Sequence, residues 1–242
     1  MRWAHRFVAR SRGCAVIRCA AVARRPRSPC GGRRGAWRPG ENRLLSRVPR
    51  AYPAADRQGL PEGSRTDMSA ENPASPLDNP VWGSLNGAHR AFAEYSGSGA
   101  ARYLLSANPF AALADPEDPA AWADLAALVG PGQEVWLTGL LTPPAGWETV
   151  AVVPGVQLDG RAVRVEHAPD AVRLGPADVE EMTALVKLTE PGPFLPRTVE
   201  LGTYLGIRHE GRLVAMAGER MRPPGWTEIS AVCTHPDFRG RG

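Results

Sequence analysis

Between Thr203 and Thr234 the chain offers three short extended segments separated by tight turns, a pattern that commits it to an antiparallel sheet. Thr203 to Arg208 is the first segment, and His209-Glu210-Gly211 supplies a hairpin turn. Leu213 to Gly218 is apolar on both faces, as a central strand is. Pro223-Pro224-Gly225 then turns the chain into Thr227 to Thr234. On this last segment, alternation sets Ile229, Ala231 and Cys233 on one face and Glu228, Ser230, Val232 and Thr234 on the other. The first face is small and apolar; the second carries polar groups for a ligand.

The residues before this sheet supply a strand and a helix. Ala171 to Leu174 alternates as a strand, and Gly175-Pro176 opens a helix with Pro in its first turn. Asp178, Glu180 and Glu181 sit near the positive end of that helix, and Val179, Met182, Leu185 and Val186 form its apolar face. Residues 81–165 alternate helix and strand. A helix is expected over Leu85 to Tyr95, with Leu85, Ala88, Phe92 and Tyr95 on one face. A second starts at Asp118-Pro119, buries Trp122, Leu125, Leu128 and Val129, and stops at Gly130-Pro131-Gly132. Strands are expected at 103–105, 135–137 and 149–153. Trp82, Trp122, Trp136 and Trp147 are read as the filling of a small core, with the lining of a cleft as the alternative.

Charge divides the chain. Residues 1–67 hold 16 Arg, no Lys and four acidic residues, a net of +12, which leaves −8 for the remainder of a chain whose total is +4. The basic segment is also rich in Pro and Gly and shows no sustained period, so residues 1–80 are expected to be a disordered leader, with Met68 as the natural start. Translated upstream sequence and an organellar transit peptide are both compatible with it. The acidic body gives no electrostatic footprint for nucleic acid; only the leader could supply one. Three of the four cysteines lie in the leader and Cys233 alone in the body, with no zinc spacing and no basis for a disulfide framework. No metal is implied, no apolar run is long enough to span a membrane, and the body reads as cytoplasmic.

The third segment runs into His235-Pro236-Asp237-Phe238-Arg239-Gly240-Arg241-Gly242. Glycine at alternate positions lets backbone approach a phosphate closely. A helix beginning there would present free N–H groups to a diphosphate, and Arg239 and Arg241 would add charged contacts.

Strand, His-Pro, two spacers and Arg-Gly-Arg-Gly, in that order, resemble the acetyl-CoA motif of the GNAT superfamily, written Arg/Gln-x-x-Gly-x-Gly/Ala. Arg239 takes its first place and Gly242 its first glycine, so its last residue would fall two positions past Gly242. Glu228 to Thr234 is similar to the glycine N-acyltransferase-like branch in particular. The resemblance implies a mixed α/β (α+β) fold, a mainly antiparallel sheet flanked by helices, incomplete at its C-terminus. Residues 171–242 would be the front of that domain, and 81–165 a small α/β unit, read as a degenerate N-terminal half.

It implies direct acetyl transfer from acetyl-CoA to an amine, borne by a small molecule or a peptide N-terminus. The amides of Val232, Cys233 and Thr234 would pair with the pantetheine arm, and Arg239, Gly240, Arg241 and Gly242 would hold the diphosphate. Glu228 is the candidate general base and Glu219 the fallback, with backbone donors polarising the carbonyl. Cys233 is read as a buried, inert thiol, not a nucleophile. The 242-residue product alone is expected neither to bind acetyl-CoA tightly nor to turn over. Alternatives are a non-catalytic acyl-CoA-binding or regulatory module, and nucleic-acid binding through the Arg-rich leader. Oligomeric state has no signature in the sequence.

Overall fold

The computed structural model describes residues 8–19, 75–139, 141–164 and 168–240. The first of its two sheets contains β1 (Val8–Cys19), β2 (Ala93–Ser96), β3 (Ala100–Tyr103), β4 (Phe110–Leu113), β5 (Glu134–Thr138) and β6 (Trp147–Asp159), in the order β2-β3-β4-β5-β1-β6. Only β4 and β5 run parallel, and the helix α2 (Pro119–Val129) makes the crossover between them. Asp118 caps α2 by accepting from the Ala120 N–H at 2.8 Å, with Pro119 in the first turn as the sequence indicates. Ala121, Trp122, Leu125 and Val129 bury its inner face on the sheet.

The second sheet has the order β10-β9-β8-β7, all antiparallel, from β7 (Ala171–Leu174), β8 (Tyr204–His209), β9 (Arg212–Glu219) and β10 (Ile229–Thr234). The helix α3 (Val179–Thr189) packs Met182 and Leu185 against it. Glu210 and Gly211, with φ of 49° and 81°, make the β8–β9 hairpin turn, the two consecutive positive φ values that a tight right-twisted hairpin requires. The mixed, mainly antiparallel architecture agrees with the expectation.

Two expectations are corrected. Residues 8–19, placed by composition in the disordered leader, form β1 and pair with both β5 and β6. Ala9, Ser11, Gly13, Ala15, Ile17 and Cys19 share one parity against Val8, Arg10, Arg12, Cys14, Val16 and Arg18, an alternation that Val8, Cys14 and Val16 blur, and Ile17 and Cys19 are buried. Glycine, serine and alanine carry too little hydrophobicity for that alternation to stand out. The rest of the leader, and Met68 as a start, lie outside the described residues. The helix expected over Leu85 to Tyr95 is instead the short α1 (Pro80–Leu85), a 3-10 turn at Arg90–Phe92 and then β2. Asn86-Gly87 ends α1, and the Tyr95 hydroxyl donates back to the Leu85 carbonyl at 2.6 Å. Leu85 and Phe92 still reach one core, through a turn and not a helix face.

The two sheets share that core. Val81, Leu85, Tyr103, Ala107 and Phe110 from the first half pack with Leu201 and Met221 from the second. The Thr198 hydroxyl donates to the Ala107 carbonyl at 2.6 Å, and the Arg222 N–H donates to Ser84 Oγ at 2.9 Å. Trp122 lies within the core of the first half and Trp147 packs against it, while Trp82 and Trp136 pack against the shared core, so the four indoles fill space as expected.

Candidate functional site

Among the described residues strand β10 lies at the edge of its sheet, and it is not regular. Ser230 pairs with Gly218 and Cys233 with Met216, so Ala231 and Val232 together stand opposite a single residue of β9. This is a β-bulge, and Ala231 takes the left-handed conformation at φ 51° to make it. An alanine in that region costs about 1–2 kcal/mol, and such strain is found where backbone groups are re-aimed for function. The bulge interrupts the ladder and turns Val232, 64% exposed, away from the core.

The bulge also changes which residues share a face. Directly paired residues lie on the same side of a sheet, so Ser230 joins Gly218, Met216 and Cys233 on the side of α3. Ile229, opposite Glu219, moves to the other side and is exposed. Simple alternation had grouped Ile229 with Ala231 and Cys233, and Ser230 with Val232 and Thr234; the extra residue reverses the parity upstream of it.

Beyond Thr234 the chain enters a 3-10 turn at Pro236–Phe238. The His235 N–H donates to the Val214 carbonyl at 2.8 Å, and His235 Nδ1 accepts from the Asp237 N–H at 3.3 Å. Phe238 packs between the rings of His209 and His235, with centroids at 5.0 and 5.8 Å. His209, Glu210, Arg212, Asp237 and Phe238 line a shallow open depression of about 270 Å³ beside this turn. Arg239 is extended and its Nε donates to the Thr234 carbonyl at 3.1 Å, bracing the end of the strand. Gly240 has φ 75°, a conformation that glycine alone adopts without strain. Arg241 and Gly242 lie outside the described residues.

The two carboxylates named as bases are both engaged. Glu228 holds Arg220 in a fork, Oε1 to Nη2 at 2.6 Å and Oε2 to Nε at 3.1 Å, just before β10 begins. The Arg220 guanidinium also lies over the Phe110 ring at 5.1 Å, so the pair sits where the two sheets meet. Glu219 accepts the Thr203 N–H at 2.9 Å, in space cleared by Gly202, where a Cβ would overlap it. Cys233 is buried among the α3-side core, and burial pushes its thiol up, as suits an inert side chain. Among the described residues no cluster of His, Cys, Asp or Glu could hold a metal, and no helix is long and apolar enough to cross a membrane.

Two residues of this region carried no signal in the sequence. Arg220 follows β9 as an ordinary charge, and only the fold brings it onto Glu228 and Phe110. Tyr204, fully buried on β8, lies against Gly218 through a register that counting along the chain does not give.

Comparison with known proteins agrees with this layout. Residues 204–242 match the family described as FR47-like protein. A crystal structure from Novosphingobium aromaticivorans, described as that of a putative acetyltransferase from the GNAT family, is 42% identical, with a TM-score of 0.59. The match covers 70% of this chain and 75% of that one. No curated protein matches the chain.

Proposed function

The chain belongs to the GNAT family, and we propose that it is an acyltransferase that passes an acetyl group from acetyl-CoA to a primary amine along the open edge of β10. The observation that carries this reading is the bulged edge strand leading directly into the Arg239-Gly240 loop. An edge strand offers unpaired N–H and C=O groups to an extended ligand, and the pantetheine arm, with its two amides, suits that ladder. Val232, Cys233 and Thr234 are the backbone contacts of this reading. At the end of the strand Gly240 leaves room for a diphosphate, and Arg239, anchored through Nε, keeps its Nη groups for the charge. Arg241 and Gly242 complete the loop in the same reading.

In the reaction the amine nitrogen bonds to the thioester carbonyl carbon, the carbon–sulfur bond breaks and CoA leaves as its thiolate. An ammonium gives up one proton before attack, and the second leaves as the amide forms and is taken up by the departing thiolate. Glu228 is the proposed proton acceptor, through the lone pairs that its fork with Arg220 leaves open. In this reading backbone N–H groups at the bulge polarise the carbonyl. A second reading, acyl-CoA binding without turnover, is favoured by the engagement of both Glu228 and Glu219 in structural contacts.

The test is calorimetric titration of the protein with acetyl-CoA, paired with release of free CoA thiol in the presence of primary amines. Arg239→Ala is expected to weaken acetyl-CoA binding about tenfold, the usual effect of losing one charged hydrogen bond. With the bulged edge and the Gly240 turn both formed, binding is expected here against the sequence-based expectation for the 242-residue product; absence of saturable binding would sink the proposal, and binding without thiol release would leave the second reading.

A further inference from the structure

The proposed base stands just outside regular structure. Glu228 is the last residue before β10, and its backbone is tied to the chain leaving β9. The Arg220 N–H donates to the Glu228 carbonyl at 3.2 Å, and the Glu228 N–H donates to the Met221 carbonyl at 2.8 Å. Those bonds hold the main chain and leave the three rotatable bonds of the side chain to be fixed by something else. Arg220 fixes them. Its Nη2 and Nε donate to different oxygens of the carboxylate, at 2.6 and 3.1 Å, so the plane of the guanidinium sets the plane of the carboxylate. The fork occupies one lone pair on each oxygen. The Glu228 side chain is 32% exposed and that of Arg220 15%, so the carboxylate is open to solvent while the cation behind it is mostly covered.

The guanidinium is held in turn by the first half of the chain. It lies over the Phe110 ring at 5.1 Å. Phe110, on β4, is buried and sets its ring edge-on to Trp136 of β5 at 5.9 Å. Two residues past Arg220, the Arg222 N–H donates to Ser84 Oγ at 2.9 Å and fixes the same segment to α1. The direction of the carboxylate is therefore referred, through one flat cation, to two rings seated in the other sheet. A carboxylate needs no neighbouring cation to ionise near neutral pH, and a lysine would supply the charge alone. What only the planar, two-pronged group supplies is orientation.

Resting on the acyl-transfer reading above, with Glu228 as the proton acceptor, we propose that Arg220 and Phe110 are positioning residues for that base. Phe110 holds the guanidinium, the guanidinium aims the carboxylate, and a lone pair outside the fork takes the proton of the incoming ammonium. The first half of the chain thereby serves the reaction through the base.

Arg220→Lys tests this, because it keeps the charge and removes the fork. Turnover is read as CoA thiol release with benzylamine and glycinamide as acceptor probes, and the folded fraction is read by thermal unfolding. The expected result is a kcat per folded molecule lowered about tenfold, with the KM for each amine and the Kd for acetyl-CoA within about twofold of wild type. Phe110→Leu approaches the same contact from the other half, keeping an apolar side chain in the core and removing the ring face. It should lower kcat about threefold at unchanged KM, the low end of what a cation over a ring contributes. A bridge that merely joined the halves would lower the melting temperature and leave kcat per folded molecule at the wild-type value. That result with Arg220→Lys, or with Phe110→Leu where the lysine variant does not fold, would overturn the inference and leave the acyl-transfer reading intact. Glu228→Gln at wild-type kcat would overturn it too, by removing the base from the scheme. Wild-type protein that releases no thiol with either probe would overturn both together.

Discussion

Replacing His89 with alanine should loosen the junction between the two sheets. The imidazole is 2% exposed and spans the joint, with Nδ1 2.9 Å from the Tyr103 hydroxyl and Nε2 2.8 Å from the Leu201 carbonyl. A carbonyl can only accept, so Nε2 carries the hydrogen and Nδ1 accepts from Tyr103. His89→Ala leaves the Leu201 carbonyl without this donor, at about 1–3 kcal/mol. It also removes a ring packed edge-on against Phe92 and Tyr103, adding a cavity term of about 1–2 kcal/mol. The expected loss is about 2–5 kcal/mol in urea unfolding followed by tryptophan fluorescence at pH 7.5. The dependence on pH has a definite sign. Burial lowers the His89 pKa from 6.5, the Leu201 hydrogen bond opposing it and Arg222 adding to it. The unfolded chain thus takes up the proton first as pH falls. The contribution of His89 is complete above pH 6.5 and is lost as pH drops through the lower folded-state value. The gap between wild type and variant should therefore narrow at pH 5. A loss below about 1 kcal/mol, or a gap that widens toward acid, would refute the assignment of this histidine as the neutral bridge.

Two further outcomes follow from the strand geometry. Gly218→Ala drives a methyl group into the Tyr204 ring. It should cost about 1–3 kcal/mol, the usual range for overpacking, read as a lower melting temperature; combined with Tyr204→Ala, the penalty of the glycine change should largely disappear in a double-mutant cycle. Ala231→Val places a branched side chain at φ 51° in a buried position, and should cost about 2 kcal/mol. Ala231→Gly should stay within about 1 kcal/mol of wild type, since relief of the left-handed strain offsets the lost methyl. If valine and glycine behave alike in thermal unfolding, the left-handed bulge is not present in solution.

Where the sequence was legible, it was because strong local signals agreed with the fold. Asp118-Pro119 and the Trp122-Leu125-Val129 stripe define α2 almost to the residue, and Glu210-Gly211 defines the β8–β9 hairpin. Residues whose partners are distant in the chain were illegible. Nothing local announces that β1 enters the first sheet between β5 and β6, or that His89 reaches a carbonyl 112 residues away. The candidate site fails to be legible for a sharper reason. Counting back from the His209–Arg212 closure of the hairpin sets Tyr204 opposite Ala217; the irregularity between Ile207 and Arg208 moves it to Gly218. Counting along β10 by twos sets Ser230 on the ligand side; the bulge after it returns Ser230 to the side of Tyr204. Each irregularity shifts register by one residue, and a shift of one exchanges the two faces of a strand. Together they bring the Tyr204 ring, Ser230 and the strained Ala231 to one place on a sheet whose period would have kept them apart. The departures from period two are therefore part of how the bulged edge is built, and Ser230 is a residue of that edge whose face a regular pattern places wrongly.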